Sequence, residues 1–393
     1  MRVAVFTDAD FDRASSVTTA LDALLRYAPP DVRPRIYTLS DLDVDEPAYL
    51  ALRSPAIPRP TGAGPLYLPR LRELARRIQA DGIQVVHVTT PGPAGLSARF
   101  LARRACLPLI GSLHMSVVRE AVHRSHDTPL TRRYLRWFYG ACGRVLVPSA
   151  ESVRRLTNAG WSVDRLAVWP GAVDAEAFSP ARRSQRLRNE WHVSDRRPAI
   201  LFVGPLVRDG GVELVEPLGS ILHSRGNAHR FIVVGNGPAG RGLQERCPDA
   251  VFAGRLSHRD LATVMALADL LLWAGEVTSG LVLLEAQASG LPVLVASGGS
   301  ARDHLRPGVS GVLCRPDDLL ELAAQASALL TDAGRRRTMG DAARRFAETR
   351  SWPASLDRVY GQYRAASQAA CARSAARTRS ASRATLTTGR PGG

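Results

Sequence analysis

The chain has 393 residues, 45% hydrophobic and 22% charged, which is too long for one ordinary core and too apolar for a disordered polymer, so two globular domains are expected. Its net charge of +16 is carried by arginine alone, since the sequence contains no lysine, and such a surface suits phosphates, anionic membranes or nucleic acid. Cys106, Cys142, Cys247, Cys314 and Cys371 are scattered and include no C-x-x-C pair, which argues against a disulfide framework or a zinc site and for a reducing cytosol. No apolar run reaches the ~18 residues that a membrane span needs. At the start, VAVFT (3–7) reads as a buried parallel strand, and no signal peptide is expected before it.

DADFDRASS gives way to VTTALDALLRYA, apolar at helical spacing, with Ser15 or Ser16 placed to cap the helix. Residues 41–65, rich in Pro, Asp and Gly, read as a surface connection. LPRLRELARRIQA then predicts an amphipathic helix and IQVVHVTT a buried strand. PGPAGLSARFLARRACLPLIGSLHMS repeats helix and strand, and TRRYLRWFYGACGRVLVPSAESVRRL adds helix, strand and helix. This alternation marks a doubly wound α/β domain. Within it, Arg132, Arg133 and Arg136 with Trp137 and Phe138 form either a basic, aromatic membrane-surface patch or a core-facing stripe with solvated arginines.

The polar, Arg-rich run that ends at Pro198 is expected as the domain junction, with 181–198 as linker. A second alternation starts at AILFVG (199–204), followed by RFIVVGNGP with its Gly235–Gly237 turn. Two amphipathic helices are expected over 318–348 and another over 351–366. The tail 367–393 has five Arg and no acid, and is predicted to be disordered. No nucleic-acid-binding motif precedes it, so no specific nucleic-acid partner is expected.

The stretch EVTSGLVLLEAQASGLPVLVASGG (276–299) carries the strongest signal. Gly280 opens a run of helix formers, LVLLEAQA, that stops at Gly290; Pro292 and the strand-like VLVA follow. A glycine-to-helix start turns backbone N–H groups and the positive end of the helix dipole outward, which suits a phosphate or diphosphate. One turn further in, Glu285 is placed to accept two sugar hydroxyls. An ordinary helix with one solvated Glu would show the same local pattern.

LEAQASGLPVLVASGG resembles the E-x7-E segment of retaining glycosyltransferases of family 4, which have the GT-B fold. The family's motif order is kept over roughly residues 1–360. The resemblance implies an α/β architecture of two Rossmann-like, doubly wound domains facing across a cleft. These are an acceptor-side domain (1–180), a nucleotide-sugar-binding domain (199–350) and a helix (351–366) returning to the first. It implies that His114 lies near the reacting carbon of the donor sugar, that Gly280 and the amides of Leu281 and Val282 hold the diphosphate, and that Glu285 holds the ribose. Gly235 and Gly237 would bring backbone to the nucleotide, and Arg255 and Leu256 would supply the backbone that binds the base.

YLRWFY followed by VLVPS resembles the subgroup of GDP-mannose-dependent mannosyltransferases and sulfoquinovosyltransferase-like enzymes. That implies a hexosyl, in particular mannosyl, transfer from a nucleotide-sugar donor to a lipid or glycan acceptor, with GDP-mannose favoured over a UDP-sugar. It implies neither a metal nor another cofactor, and a cytoplasmic protein with peripheral contact at the inner face of an anionic membrane. Five positions depart from the family: Ser16 replaces Gly, Gly171 and Pro205 each replace Arg, Gly210 replaces Lys, and Val277 replaces the first Glu. Glu276, one residue early, and Arg208 are the candidate stand-ins for the acid and for the cations that neutralise the leaving diphosphate. A second reading therefore stays open, a catalytically impaired glycosyltransferase-like protein acting as a binding or regulatory partner.

Overall fold

The computed structural model describes residues 1–9, 16–58, 65–113, 129–207, 210–274, 280–296 and 299–387. His114, Arg208, Glu276 and Val277 lie outside the described residues, and of Ser16 only the backbone is described, as the first residue of a helix. The chain forms two compact units. One comprises Met1–Pro148, Ser152–Trp169 and Leu356–Gly393, the other Ser149–Glu151 and Pro170–Ser355.

In the first unit, β1 (Arg2–Phe6), β2 (Arg33–Ser40), β3 (Val44–Asp45), β4 (Tyr49–Arg53), β7 (Val85–Val88), β8 (Leu109–Ser112), β9 (Arg144–Val147) and β10 (Leu166–Val168) make one sheet. β5 (Ala56–Ile57) and β6 (Leu66–Tyr67) pair separately. The order is β10-β9-β8-β7-β1-β2-β4-β3, parallel except where β3 meets β4. The chain leaves β1 toward β2 on one side and reaches β7 on the other, which puts a topological switch at β1. Helices α1 (Ser16–Arg26), α2 (Leu71–Ala80), α3 (Pro93–Arg104), α4 (Pro129–Tyr139) and α5 (Ala150–Asn158) connect these strands. The segment expected as a surface connection over 41–65 instead contributes β4, which buries Leu50, Ala51 and Leu52 beside β2. Asp41, Asp43, Pro47 and Pro55 lie on either side of YLALR, and the density of Pro and Asp hid a short apolar strand between them.

The second unit holds β11 (Ala199–Val203), β12 (Arg230–Val234), β13 (Val251–Gly254), β14 (Leu270–Trp273), β15 (Val293–Ala296) and β16 (Gly311–Cys314) in the order β13-β12-β11-β14-β15-β16, all parallel. Its helices are α6 (Gln185–Glu190), α7 (Val215–Ser224), α8 (Gly240–Arg246), α9 (His258–Leu267), α10 (Leu281–Ala288), α11 (Leu319–Thr331) and α12 (Ala333–Glu348). Residues 181–198 are not a linker. α6 packs into this unit through Arg188, which is buried and bonds the Leu267 carbonyl at 2.5 Å and Asp269 Oδ2 at 2.9 Å. Arg183 reaches Asp269 as well, at 3.2 Å. Paired guanidinium groups on apolar stems let an Arg-rich run dock, which composition alone does not reveal. The division between the units falls at Trp169–Pro170 instead.

The last helix, α13 (Trp352–Thr387), belongs to the first unit from Leu356 onward. Tyr360 Oη donates to the Leu24 carbonyl at 2.7 Å, and Arg364 pairs with Asp31 at 2.9 Å. Tyr363 is fully buried, its hydroxyl 2.7 Å from His87 Nδ1, while His87 Nε2 is 2.5 Å from Ser112 Oγ. The helix runs on through 367–387, where a disordered tail was expected. No Gly or Pro lies between Gly361 and Gly389, and the alanine and arginine content favours helix. Tyr363→Phe removes one fully buried hydrogen bond, and urea unfolding should show a loss of about 1–2 kcal/mol; unchanged stability would contradict the role given to this network.

α10 is buried on nearly every side, so its polar groups must be satisfied from within. Gln287 does this by donating to the His304 carbonyl at 2.7 Å and accepting from Ser310 Oγ at 2.9 Å. Before the helix, Gly280 adopts φ +66°, and a Cβ there would lie 2.1 Å from His304 Nδ1, so both backbone and space demand glycine. Burial holds the His304 imidazole neutral and pushes its pKa from 6.5 down to about 4. The unfolded chain takes up this proton near pH 6.5 and the folded chain does not. Stability from this site is therefore complete above 6.5 and falls by on the order of 3 kcal/mol as the pH drops toward 4. In His304→Val that part of the acid slope should vanish in unfolding titrations; an identical slope would show that His304 is not held neutral.

Candidate functional site

In an open parallel sheet, ligands bind outside the carboxyl ends of the strands at the switch point. In the second unit that point lies between β11 and β14, and the candidate residues follow the strand ends around it. After β11 the chain turns at Gly204, whose N–H donates to the Val234 carbonyl at 3.0 Å. After β12, Gly235 has φ +135°, and a Cβ on it would stand 1.8 Å from the Gly204 carbonyl oxygen. A Cβ on Gly237 would stand 2.2 Å from the Leu206 carbonyl oxygen. These two glycines thus let the loop after β12 lie directly on the loop after β11. The chain's own backbone already accounts for the requirement.

Gly210 sits where the resemblance expects a lysine. Its N–H donates to Val207 O at 3.1 Å, and a Cβ would meet the Pro205 and Val207 carbonyl oxygens at 2.9 Å. The loop as folded leaves no ordinary room for a side chain there. After β13, Arg255 is exposed, whereas Leu256 is partly buried against the core. Gly235 N–H donates to Gly254 O at 2.8 Å, which ties the ends of β12 and β13 together.

α10 begins directly after Gly280, with the Leu284 N–H on the Gly280 carbonyl at 3.0 Å as its first turn. The backbone of Leu281 and Val282 forms this first turn, where the helix dipole adds positive potential. One turn on, Glu285 is 3% exposed, and His258 Nε2 lies 3.1 Å from its Oε1. The Glu285 pKa is raised, chiefly by burial, and the bond and charge of His258 offset that only in part. His258 is itself shifted up, chiefly by that hydrogen bond, against the effect of burial.

The imidazole of His258 meets the ring of Phe178 edge-on at 4.7 Å. Asp174, four residues before Phe178, accepts from the Glu176 and Ala177 N–H groups at 3.0 Å and acts electrostatically on His258. Arg344 of α12 donates to the carbonyls of Ala175, Phe178 and Ala288 at 2.8, 2.7 and 2.5 Å, fixing this segment against the end of α10.

Gly235, Gly237, Arg255, Leu256, Gly280, Leu281, Val282 and Glu285 therefore all fall in the second unit, at strand ends or at the start of α10, while Ser16 begins α1 in the first. Sequence reasoning missed His258. Nothing in the local sequence marks it beyond its place after the capping Ser257. In the first unit the aromatic run divides. Phe138 is fully buried, whereas Trp137 is half exposed with the Arg99 guanidinium 4.0 Å above its ring. Among the described residues, no group of three or more His, Cys, Asp or Glu is arranged to hold a metal, and no helix is long and apolar enough to cross a membrane.

The family model for Glycosyltransferase Family 4 matches residues 17–177, and that for Glycosyl transferases group 1 matches residues 197–332. The chain is 31% identical over 300 residues to a GDP-mannose-dependent alpha-mannosyltransferase of Corynebacterium glutamicum, covering 75% of this chain and 70% of that protein. It is likewise 31% identical over 306 residues to the protein of that name in Mycobacterium tuberculosis, covering 77% and 78%. Sulfoquinovosyl transferase SQD2 of Arabidopsis thaliana is 30% identical over 309 residues, covering 76% of this chain and 59% of that one. Among solved structures, Anabaena HepE in complex with UDP superimposes with a TM-score of 0.75 at 16% identity, covering 93% of this chain and all (100%) of that one. Sucrose-phosphate synthase of Thermosynechococcus elongatus gives 0.73 at 18% identity, covering 92% and 98%, and these two likenesses speak to the fold alone. The chain belongs to glycosyltransferase family 4 and is a glycosyltransferase of the two-domain, Rossmann-like GT-B fold.

Proposed function

We propose that this glycosyltransferase moves a mannosyl group from GDP-mannose to a lipid or glycan acceptor, with retention at the anomeric carbon. The observation that carries the reading is Glu285, a buried carboxylate held by His258 one turn inside a helix that starts at Gly280. Two ribose hydroxyls donating to a carboxylate make charge-assisted bonds, and the amides of Leu281 and Val282 are suited to the donor diphosphate. The names of the Corynebacterium and Mycobacterium relatives favour GDP-mannose over a UDP-sugar, although the HepE complex holds UDP.

The leaving diphosphate gathers negative charge as the glycosidic bond breaks, and the start of α10 meets it without a metal. Family resemblance gives His114 a place beside the reacting carbon and makes Glu276 and Arg208 the substitutes for the acid and the cations missing at Val277, Pro205 and Gly210. Arg255 and Leu256 take the base through their backbone. The half-exposed Trp137 with Arg99 over its ring, and Arg132 and Arg133 nearby in the chain, support peripheral contact with an anionic membrane on the cytoplasmic side.

The second reading, a catalytically impaired relative that binds a nucleotide-sugar or a partner, is favoured by the loop at Gly210. Backbone oxygens occupy the space that a side chain would need there. Calorimetric titration with GDP-mannose and UDP-glucose tests both readings. Binding of GDP-mannose at roughly micromolar Kd is expected, weakened ten- to hundredfold or so in Glu285→Ala. Well-folded protein that binds neither donor would sink the catalytic assignment. Binding without any transfer to lipid or glycan acceptors would select the impaired reading.

A further inference from the structure

We propose that His258 is a positioning residue for the donor ribose: its bond to Glu285 aims that carboxylate and favours its charged form, so that donor affinity falls less on the acid side of neutrality than it would without the imidazole. The inference rests on the reading of Glu285 as the ribose-binding group and adds a residue with no assigned role. Glu285 is almost wholly removed from water, and among the described residues His258 is the side chain that bonds its carboxylate. An isolated carboxylate in such a place takes up a proton rather than remain charged. Once protonated, one of its oxygens becomes a donor, and the neutral acid accepts from two ribose hydroxyls far less well than a carboxylate does.

His258 opposes that protonation by hydrogen bond and by charge. Its placement is not explained by helix formation. It is the first residue of α9, where the helix dipole disfavours a positive charge. What offsets the dipole is carboxylate from two other elements: Glu285 from α10 and Asp174 from the segment before Phe178 are the charged groups acting on His258 among the described residues. The ring is also set mechanically. Phe178 packs edge-on against it at 4.7 Å, Ser257 caps its helix by accepting from Asp260 N–H at 3.2 Å, and Arg344 clamps the carbonyls of Ala175 and Phe178. Residues far apart in the chain thus converge on one imidazole, and that imidazole faces one buried acid.

Without His258 only burial acts on Glu285, so its proton is held to higher pH. Donor binding in His258→Ala should then fall more steeply than in the wild type as the pH falls, and recover in alkali. The test is titration of GDP-mannose and UDP-glucose into wild type, His258→Ala and His258→Gln between about pH 6 and about pH 8.5. His258→Ala should lose roughly tenfold more affinity at the acid end than at the alkaline end, which a purely structural role would not produce. His258→Gln, which keeps a donor without a charge, should fall between the two and controls for misfolding. Equal weakening of His258→Ala at both ends, or none, would overturn the role of His258 while leaving the donor reading in place. Absence of binding by the wild type itself would instead overturn the donor reading, and the proposal with it.

Discussion

A carboxylate can be taken out of water only if something replaces the water. In the second unit that constraint centres on Glu285, and the surrounding structure is arranged to meet it. α10 must be buried to fill the space beside the sheet, yet it carries an acid and an amide on its inward turns. Gln287 is satisfied by the carbonyls of Leu283 and His304 and by Ser310, and Glu285 by His258. Both arrangements depend on α10 keeping its register, which is set at its start by a left-handed Gly280 seated on the His304 ring.

The same logic of close approach shapes the edge of the sheet. Gly235 and Gly237 allow two loops to lie carbonyl against α-carbon, closer than any side chain permits. That contact fixes the backbone at the ends of β11 and β12, and the Gly235 to Gly254 bond extends it to β13. A rigid floor of backbone beside a helix start suits a charged, polar ligand, since the positive end of the helix dipole faces it. This protein differs from its family's pattern in the cations of that floor. On the proposed reading, Pro205 and Gly210 shift the electrostatic work at the diphosphate toward the start of α10.

Much of this was legible in the sequence because parallel strands buried on both faces read as uninterrupted apolar runs. VAVF, AILFV and FIVV declare themselves in that way, and the Gly280-to-Gly290 interval marks α10 at both ends. What stayed hidden has physical causes. Arg188 looked like linker composition because a buried guanidinium and a solvated one are the same letter. β4 lay between turn residues that dominated its window, and α13 outlasted its apolar face on alanine propensity. His258 was invisible for a different reason. Its partner Glu285 is 27 residues away and its flanking Phe178 further still, so only the fold brings the three together.

On the proposed reading, the buried acid of α10 is the sugar-hydroxyl acceptor of a nucleotide site at the switch point of the second unit. A crystal structure of the protein soaked with GDP tests it most directly. The expected result is the diphosphate against the amides after Gly280 and both ribose hydroxyls within hydrogen-bond distance of Glu285, with His258 still on the same carboxylate. GDP bound elsewhere, or bound at this edge with its ribose turned away from Glu285, would contradict it.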